Sequence, residues 1–164
     1  MNAVNQEKEE ELVSFLRENQ TYFYRVAKQY VGDPDLAMDL VQDAVVKALQ
    51  HRDSLRDPGA VKAWFYRILV RECITFYRRN GRVVYLPQPP SGIQESCEDR
   101  MADQEMLERA VDALSPKLKT VVILRFYEGM QLSEIAQITE TNLNTVKSRL
   151  YKALGKLRES LKEA

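Results

Sequence analysis

The chain has 164 residues, with 24 basic and 24 acidic side chains, so its formal net charge is zero. Hydrophobic residues make up 45 % of the sequence, which is enough for the apolar cores of one or two small domains. The sequence contains no apolar run of transmembrane length, no signal-peptide pattern and no paired-cysteine motif. We therefore expect a cytoplasmic protein without a disulfide framework or a zinc site.

The zero net charge hides two mildly basic blocks that are separated by an acidic connector. Residues 12–82 hold twelve basic and eight acidic residues, and residues 104–164 hold ten basic and eight acidic residues. Residues 83–103 hold one basic and four acidic residues. Basic groups bind phosphates with release of counterions, so each basic block is a candidate for contact with nucleic acid.

The first block is predicted to form three helices, because apolar residues recur in it at steps of three and four. The first helix is expected over about 8–31. Asp33 then has the position of an N-cap, with a proline after it, and predicts a second helix over about 34–52. A third long helix is expected over about 58–79.

A proline-rich segment, residues 85–99, separates the two blocks and cannot continue a helix. Acidic residues follow its prolines and favour a solvated chain. We interpret residues 83–103 as a flexible linker between two small helical domains, residues 1–82 and residues 104–164. No strand-like alternation persists anywhere in the sequence, so the predicted fold class is all-α.

The second domain is predicted to contain a helix over 105–114, a helix over 116–128 that a glycine ends, and two further helices. Ser133 can cap the first of these, and Thr141 or Asn142 can start the last. The last two helices are joined by a tight turn, and the second carries basic side chains in its first turns without an acid. This pattern is typical of a helix-turn-helix.

The start of the last helix carries side chains that suit contact with the major groove of DNA. Lysine and arginine suit phosphates and guanine, whereas serine and tyrosine suit phosphates or the groove walls. The residues of this predicted face are Lys147, Ser148, Arg149, Tyr151 and Lys152. The alternative interpretation is a solvated basic face on an ordinary bundle helix.

The third helix of the first domain carries a basic stripe, because several of its arginines lie three or four residues apart. The stripe and its neighbours comprise Trp64, Arg67, Arg71, Arg78 and Arg79. Cations that follow a backbone, with aromatic rings that stack on bases, suit single-stranded or distorted DNA. The alternative is that the aromatic side chains, above all Phe65 and Phe76, belong to the core.

The second helix has a polar face formed by Asp39, Gln42 and Asp43, which project together at positions i, i+3 and i+4. Carboxylates repel DNA, so this face suits a basic protein surface, although a solvated helix face is the simpler alternative. The sequence shows no nucleophile beside a histidine, no glycine-rich phosphate loop and no cluster of metal ligands. We therefore expect neither an enzyme nor a cofactor.

Four segments, in their order and spacing, resemble bacterial RNA polymerase sigma factors. They are DLVQDAVVKAL at 39–49, AWFYRILVRE at 63–72, LSPKLKTVVILRFYEGMQLSEIA at 114–136 and NTVKSRLYKA at 144–153. The proline-rich linker fits the same pattern. Because no other sigma domain is present, the chain is most similar to the compact extracytoplasmic-function (ECF) type.

The resemblance implies an initiation factor whose partners are core RNA polymerase, promoter DNA and an anti-sigma factor, often membrane-anchored, with no small-molecule substrate. It implies that polymerase docks on Asp39, Leu40, Gln42 and Asp43. It implies that the promoter's minus-ten element, with a base flipped out of the duplex, is held by Trp64, Arg67, Arg71, Arg78 and Arg79. It implies that the minus-thirty-five element is bound by Lys147, Ser148, Arg149, Tyr151 and Lys152.

Two positions of the second domain depart from the pattern of the family. Many relatives have glycine in the turn of the helix-turn-helix and at the start of the last helix, where this chain has Glu140 and Asn144. Asparagine tolerates a positive φ more readily than glutamate does. The alternative function is a conventional helix-turn-helix regulator, which would bind a palindromic site as a dimer without polymerase. A nucleic-acid enzyme is a third class, but no catalytic cluster supports it.

Overall fold

The structure is a computed structural model that describes residues 3–81 and 95–162, with side chains from residue 102 onward in the second range. The prolines of the predicted linker lie outside the described residues. Both described ranges are helical and contain no strand, which confirms the all-α prediction. None of the helices in these ranges combines the length and the apolar character that crossing a bilayer requires.

The first domain consists of four helices and two short 3-10 turns. The helices are α1 Ala3–Glu18, α2 Gln20–Val31, α3 Pro34–Gln50 and α4 Val61–Asn80, and the turns are Arg52–Ser54 and Pro58–Ala60. The prediction of one continuous helix over 8–31 is wrong, because the chain leaves helical geometry at Asn19. The side-chain Nδ2 of Asn19 donates to the carbonyl of Phe15 at 2.8 Å, and this local bond competes with the helical backbone.

The junction between α2 and α3 follows the predicted capping pattern. Gly32 ends α2 with a φ of 79°, a left-handed conformation that glycine adopts without steric cost. The carboxylate of Asp33 accepts hydrogen bonds from the backbone amides of Asp35 at 2.8 Å and Leu36 at 3.2 Å. Asp33 is therefore the N-cap of α3, with Pro34 at the first helical position.

The described part of the second domain also forms four helices, with a π-helical turn in the middle. The helices are α5 Glu95–Asp112, α6 Pro116–Val122, α7 Leu132–Thr139 and α8 Leu143–Lys162, and the π-helical turn is Ile123–Tyr127. The helix predicted over 105–114 starts earlier, because residues 95–104 also belong to α5. This segment has no proline or glycine that would interrupt a helix.

The segment between α6 and α8 differs in detail from the prediction. The helix predicted over 116–128 widens into the π-helical turn before Gly129, whose φ is 63°. Ser133 is not the cap of α7, because the helix already starts at Leu132. The N-cap is Gln131, whose backbone amide donates to the carboxylate of Glu134 at 3.4 Å.

The main apolar core runs through both domains. In the first domain it is built around Phe23 and Phe65, whose ring centroids are 4.3 Å apart and whose side chains are fully buried. The same cluster includes residues of the second domain: Val121, Ile123, Leu124, Met130, Ile135, Ile138, Val146 and Leu150. A smaller core joins α5, α6 and α8. The two domains therefore pack directly against each other, mainly through α2 and α4 on one side and α7 and the π-helical turn on the other.

Candidate polymerase and nucleic-acid interfaces

The acidic face of α3 is exposed to solvent. Asp39 lies one helical turn before Gln42 and Asp43, and all three are on the side of α3 that points away from the core. Leu40, which the family resemblance places among the docking residues, is only 5 % exposed and belongs to the core. α3 turns this position inward, so Leu40 supports the exposed face from below in the free chain. Its part in docking stays a prediction.

The structure adds two apolar side chains to this face. Met38 is 45 % exposed and Val46 is 52 % exposed, and each lies four residues from Gln42. Apolar side chains that flank acidic ones on an exposed helix face are common at protein-binding surfaces. Their spacing of four residues from Gln42 places both positions on the same helix face, and this spacing could have identified them from the sequence. We call the set of Met38, Asp39, Gln42, Asp43 and Val46 the α3 face.

The basic stripe of α4 is divided between solvent and the boundary of the two domains. Arg78 and Arg79, in its last turn, are exposed. Arg78 also lines a cleft of about 500 Å³ between α4 and the second domain, together with Arg67 and Arg71. The second domain contributes Arg149 to the same cleft. Three of the four predicted minus-ten arginines thus line the cleft that faces the other domain.

Arg67 and Arg71 both contact the turn of the helix-turn-helix. The Nη2 of Arg67 donates to the backbone carbonyl of Gln137 at 2.7 Å, and its Nε lies 3.2 Å from the carboxylate of Glu140. Arg71 donates to the same carboxylate. A single acidic side chain of the second domain therefore faces two cations of the first.

Trp64 is not an exposed stacking residue in this arrangement. Its side chain is 9 % exposed, and its Nε1 donates to the hydroxyl of Ser54 at 2.9 Å. Phe65 and Tyr66 are also buried, so the aromatic neighbours of the basic stripe serve the core here. The indole is held between α4 and the 3-10 turn Arg52–Ser54. The role of Trp64 at the minus-ten element stays a prediction.

The helix-turn-helix has the predicted form. The side-chain oxygen of Asn142 accepts from the backbone amide of Thr145 at 2.7 Å, so Asn142 starts α8. Its two helices pack through buried Ile135 and Ile138 on α7 and Val146 on α8. The turn passes through Glu140, which has left-handed backbone angles, with φ 55° and ψ 41°.

The outer face of α8 carries most of the predicted DNA-binding side chains. Lys147, Ser148 and Lys152 are exposed, and Tyr151 is 71 % exposed. Arg149 is half-buried and lines the cleft toward α4, so it does not share this face while the two domains are packed together.

One further residue, Asn144, belongs to this face by its helical position and exposure. We did not predict it as a contact, although a side-chain amide suits recognition of adenine. The helical repeat from Lys147 and Tyr151 was the signal that could have found it. We call the set of Asn144, Lys147, Ser148, Tyr151 and Lys152 the α8 face.

Several other polar contacts cross the domain boundary. Lys62 donates to Glu134 at 2.8 Å, and this hydrogen bond lowers the pKa of the Glu134 carboxyl below its usual range. Arg25 donates to Glu128 at 3.0 Å, but burial raises the pKa of Glu128 more than the bond to Arg25 lowers it. The hydroxyl of Tyr30 is hydrogen-bonded to that of Thr120. The boundary thus combines an apolar core with ionic and polar pairs.

The interfaces contain no arrangement that suggests metal chemistry. In the part of the chain that the structure describes, no group of three or more His, Cys, Asp and Glu side chains could hold a metal ion. Cys73 is fully buried in the core, and burial raises the pKa of its thiol. What the described surface offers is charged and polar helix faces for macromolecular partners.

Comparison with known proteins matches both domains separately and the chain as a whole. The family model "Sigma-70 region 2" matches residues 15–83, and "Sigma-70, region 4" matches residues 104–157. RNA polymerase sigma factor SigV of Bacillus subtilis is 41 % identical over 151 residues, which are 92 % of this chain and 90 % of that protein. RNA polymerase sigma-E factor of Streptomyces avermitilis is 32 % identical over 152 residues, 92 % of this chain and 85 % of that protein.

A solved structure has the same architecture. The sigma factor RpoE of Bartonella quintana, in complex with the anti-sigma factor NepR, superposes with a TM-score of 0.69 at 25 % identity, covering 91 % of this chain and 97 % of that chain. These similarities do not favour a conventional helix-turn-helix regulator. The chain belongs to the sigma-70 family of RNA polymerase sigma factors, in its ECF group, and is an initiation factor that binds RNA polymerase and acts at specific promoters.

Proposed function

We propose that the two domains divide the work of promoter recognition. The first domain, residues 1–82, binds core RNA polymerase and the minus-ten element, and the second domain, residues 104–164, binds the minus-thirty-five element. Residues 83–103 connect them across the polymerase. Two modest DNA contacts held on one large enzyme act at a high effective concentration, so neither domain needs tight binding of its own.

The α3 face is the proposed docking surface for polymerase. Its carboxylates would repel DNA but attract a basic protein surface, and its exposed Met38 and Val46 supply apolar area for contact. The neighbouring residues of α3 that point inward, such as Leu40, fix the helix against the core. A rigid helix that presents acidic and apolar side chains together is a suitable element for specific protein binding.

The α8 face is the proposed reader of the minus-thirty-five element. It lies at the start of a helix that Asn142 caps, and α7 packs across it as the first helix of a helix-turn-helix does. Lys147 and Lys152 would contact phosphates or guanine, and Asn144 would suit adenine. The exposed ring of Tyr151 would lie against a groove wall.

The arginines of α4 are the proposed contacts to the minus-ten element after strand opening. Arg78 and Arg79 are exposed and could follow the backbone of a single strand. Arg67 and Arg71 would join them once the second domain moves away. Trp64 would take part only if the first domain also rearranges locally, because its indole is buried.

We further propose an anti-sigma factor as a regulatory partner, since the similar Bartonella quintana protein was solved with one. The protein would act in the cytoplasm, where polymerase and DNA are, and in a stress-responsive regulon. It would carry out no catalysis itself, because the polymerase supplies the chemistry of RNA synthesis.

The proposal depends most directly on one observation: the chain exposes an acidic helix face and a basic recognition face on different domains. An Asp39→Lys/Asp43→Lys variant tests it by reversing the charge of the α3 face. We expect it to lose binding to purified core polymerase in a pull-down, by about tenfold or more, since like charges would then face each other.

The matched control is Glu10→Lys/Glu11→Lys, which makes the same change of net charge on exposed positions of α1. It should bind core polymerase as the wild type does. If both double variants bind core polymerase equally well, the α3 face is not the docking surface.

A further inference from the structure

Glu140 combines an unusual backbone with an unusual set of contacts. In the described ranges it is the one residue other than glycine with a positive φ. A left-handed conformation at the end of a helix normally falls to glycine, because a Cβ is disfavoured there. A glutamate at this position brings a carboxylate into the turn of the helix-turn-helix, and that carboxylate faces Arg67 and Arg71 of the other domain.

We propose that Glu140 is an electrostatic latch that stabilises the closed arrangement of the two domains and withholds Arg67 and Arg71 from single-stranded DNA. This inference rests on the proposed role of these arginines at the minus-ten element. While the latch is closed, the carboxylate occupies the position that a DNA phosphate would take between the same two guanidinium groups.

The contacts of the latch are suited to release. Both Arg71 and Glu140 are more than half exposed at their side chains, so their attraction is screened by salt. The Nε of Arg67 lies near the carboxylate without an aligned hydrogen bond. A polyanion can therefore compete for these arginines without having to break a buried ion pair.

The rest of the domain boundary includes polar groups that water can solvate on opening. Lys119 is fully buried, 3.0 Å from Asp112 of its own domain and with its ammonium 4.3 Å from the ring centroid of Tyr77 on α4. The hydroxyl of Tyr77 also donates to the carbonyl of Asp112 at 3.2 Å. When the domains separate, hydration of these polar groups offsets part of the free-energy cost of exposing apolar surface. The closed state can therefore open reversibly.

The latch acts on one DNA contact and leaves the other free. The α8 face, with Tyr151 71 % exposed, stays open to solvent in the closed arrangement. The free chain should therefore bind duplex DNA through the α8 face without opening, whereas single-stranded DNA needs the open form. Opening on the polymerase would then couple docking to capture of the melted strand.

The test compares full-length wild type with Glu140→Gln, which keeps the size of the side chain and removes its charge. Fluorescence anisotropy measures binding to a short mixed-sequence single-stranded oligonucleotide and to a duplex of the same length, without polymerase. Small-angle X-ray scattering measures the radius of gyration. Glu159→Gln, an exposed site later in α8, is the charge-matched control, and Glu140→Gly is a second variant whose residue suits the left-handed backbone.

We expect both Glu140 variants to bind the single strand about threefold or more tightly than wild type and to have a larger radius of gyration. Duplex binding should change no more than it does in Glu159→Gln. The latch is refuted if the Glu140 variants match Glu159→Gln in single-strand affinity, or if their affinity rises while the radius stays that of wild type. Transcription by the wild-type chain with core polymerase is measured in parallel. If the wild type supports transcription but the Glu140 variants behave as Glu159→Gln does, the latch fails and the proposed function stands.

Discussion

At the scale of single residues, Glu128 shows how the domain boundary makes stability depend on pH. Burial raises the pKa of its carboxyl from the usual 4.5 although Arg25 is bonded to it, so the charged form is disfavoured in the folded chain. A group with a raised pKa contributes its full stability below the unfolded pKa and loses it as pH rises through the folded pKa. This one carboxyl therefore favours the folded state more at acid pH than at neutral pH.

We expect Glu128→Gln to remove that dependence. Glutamine can still accept the hydrogen bond from Arg25, and it carries no charge to bury. Urea unfolding of both proteins from below pH 4.5 to neutral should show the variant gaining stability relative to wild type as pH rises. Glu159→Gln, which removes an exposed carboxylate, is the comparison. A pH dependence equal in the two variants would contradict the assigned role of burial.

The roles of individual residues were predictable where the two partners of an interaction lie only a few positions apart in the sequence. The cap at Asp33 and the start of α8 at Asn142 join groups two or three residues apart, and both predictions are confirmed. The burial of Trp64 could not be predicted in this way, because it depends on Ser54 and on the packing of the preceding turn. The contact between Arg71 and Glu140 spans a separation that no local pattern reveals.

At the scale of helices, two asparagines near the start of α8 separate the stability of that helix from its proposed use. Asn142 caps the helix through its bond to the amide of Thr145, whereas the side chain of Asn144 is exposed on the α8 face. Asn142→Ala should lower the free energy of unfolding by about 1 kcal/mol, the usual effect of losing an N-cap.

Asn144→Ala should leave the free energy of unfolding nearly unchanged but weaken transcription from a minus-thirty-five element by about tenfold, the loss of one base contact. Thermal or urea unfolding and promoter titration with reconstituted polymerase measure the two effects on both variants. The assignment fails if Asn144→Ala is the destabilised variant, or if it transcribes as wild type does.

The helices themselves were largely predictable, and their boundaries were less so. Periodic apolar residues and caps indicated α3, α4 and α8 because those signals are local. The break at Asn19 was missed, since the apolar pattern continues across it. The start of α5 at Glu95 was missed because prolines dominate the preceding residues, although nothing after Gly92 forbids a helix.

At the scale of the whole molecule, the domains pack together through contacts between residues that are far apart in sequence. The sequence indicated two basic blocks and an acidic connector, but it could not tell which charges would meet. Ionic pairs such as Lys62 with Glu134 form between domains that each carry a net positive charge. Only the folded arrangement shows that Glu140 of the second domain lies against the basic stripe of the first.

This packing joins the proposed functions into one cycle. In the closed chain the α3 face and the α8 face are exposed, whereas Arg67 and Arg71 are paired with Glu140 of the other domain. Polymerase can therefore be bound first, through a surface that the closed arrangement leaves available. Separation of the domains on the enzyme would then uncover the arginines where the DNA strands open.

The central claim is that this chain directs core RNA polymerase to promoters with two separate elements. Run-off transcription with purified core enzyme on fragmented genomic DNA, followed by sequencing of the RNA 5′ ends, tests it most directly. We expect RNA that depends on added chain and starts downstream of one shared pair of motifs at fixed spacing. RNA synthesis unchanged by the chain, or start sites without a shared two-part motif, would contradict the claim.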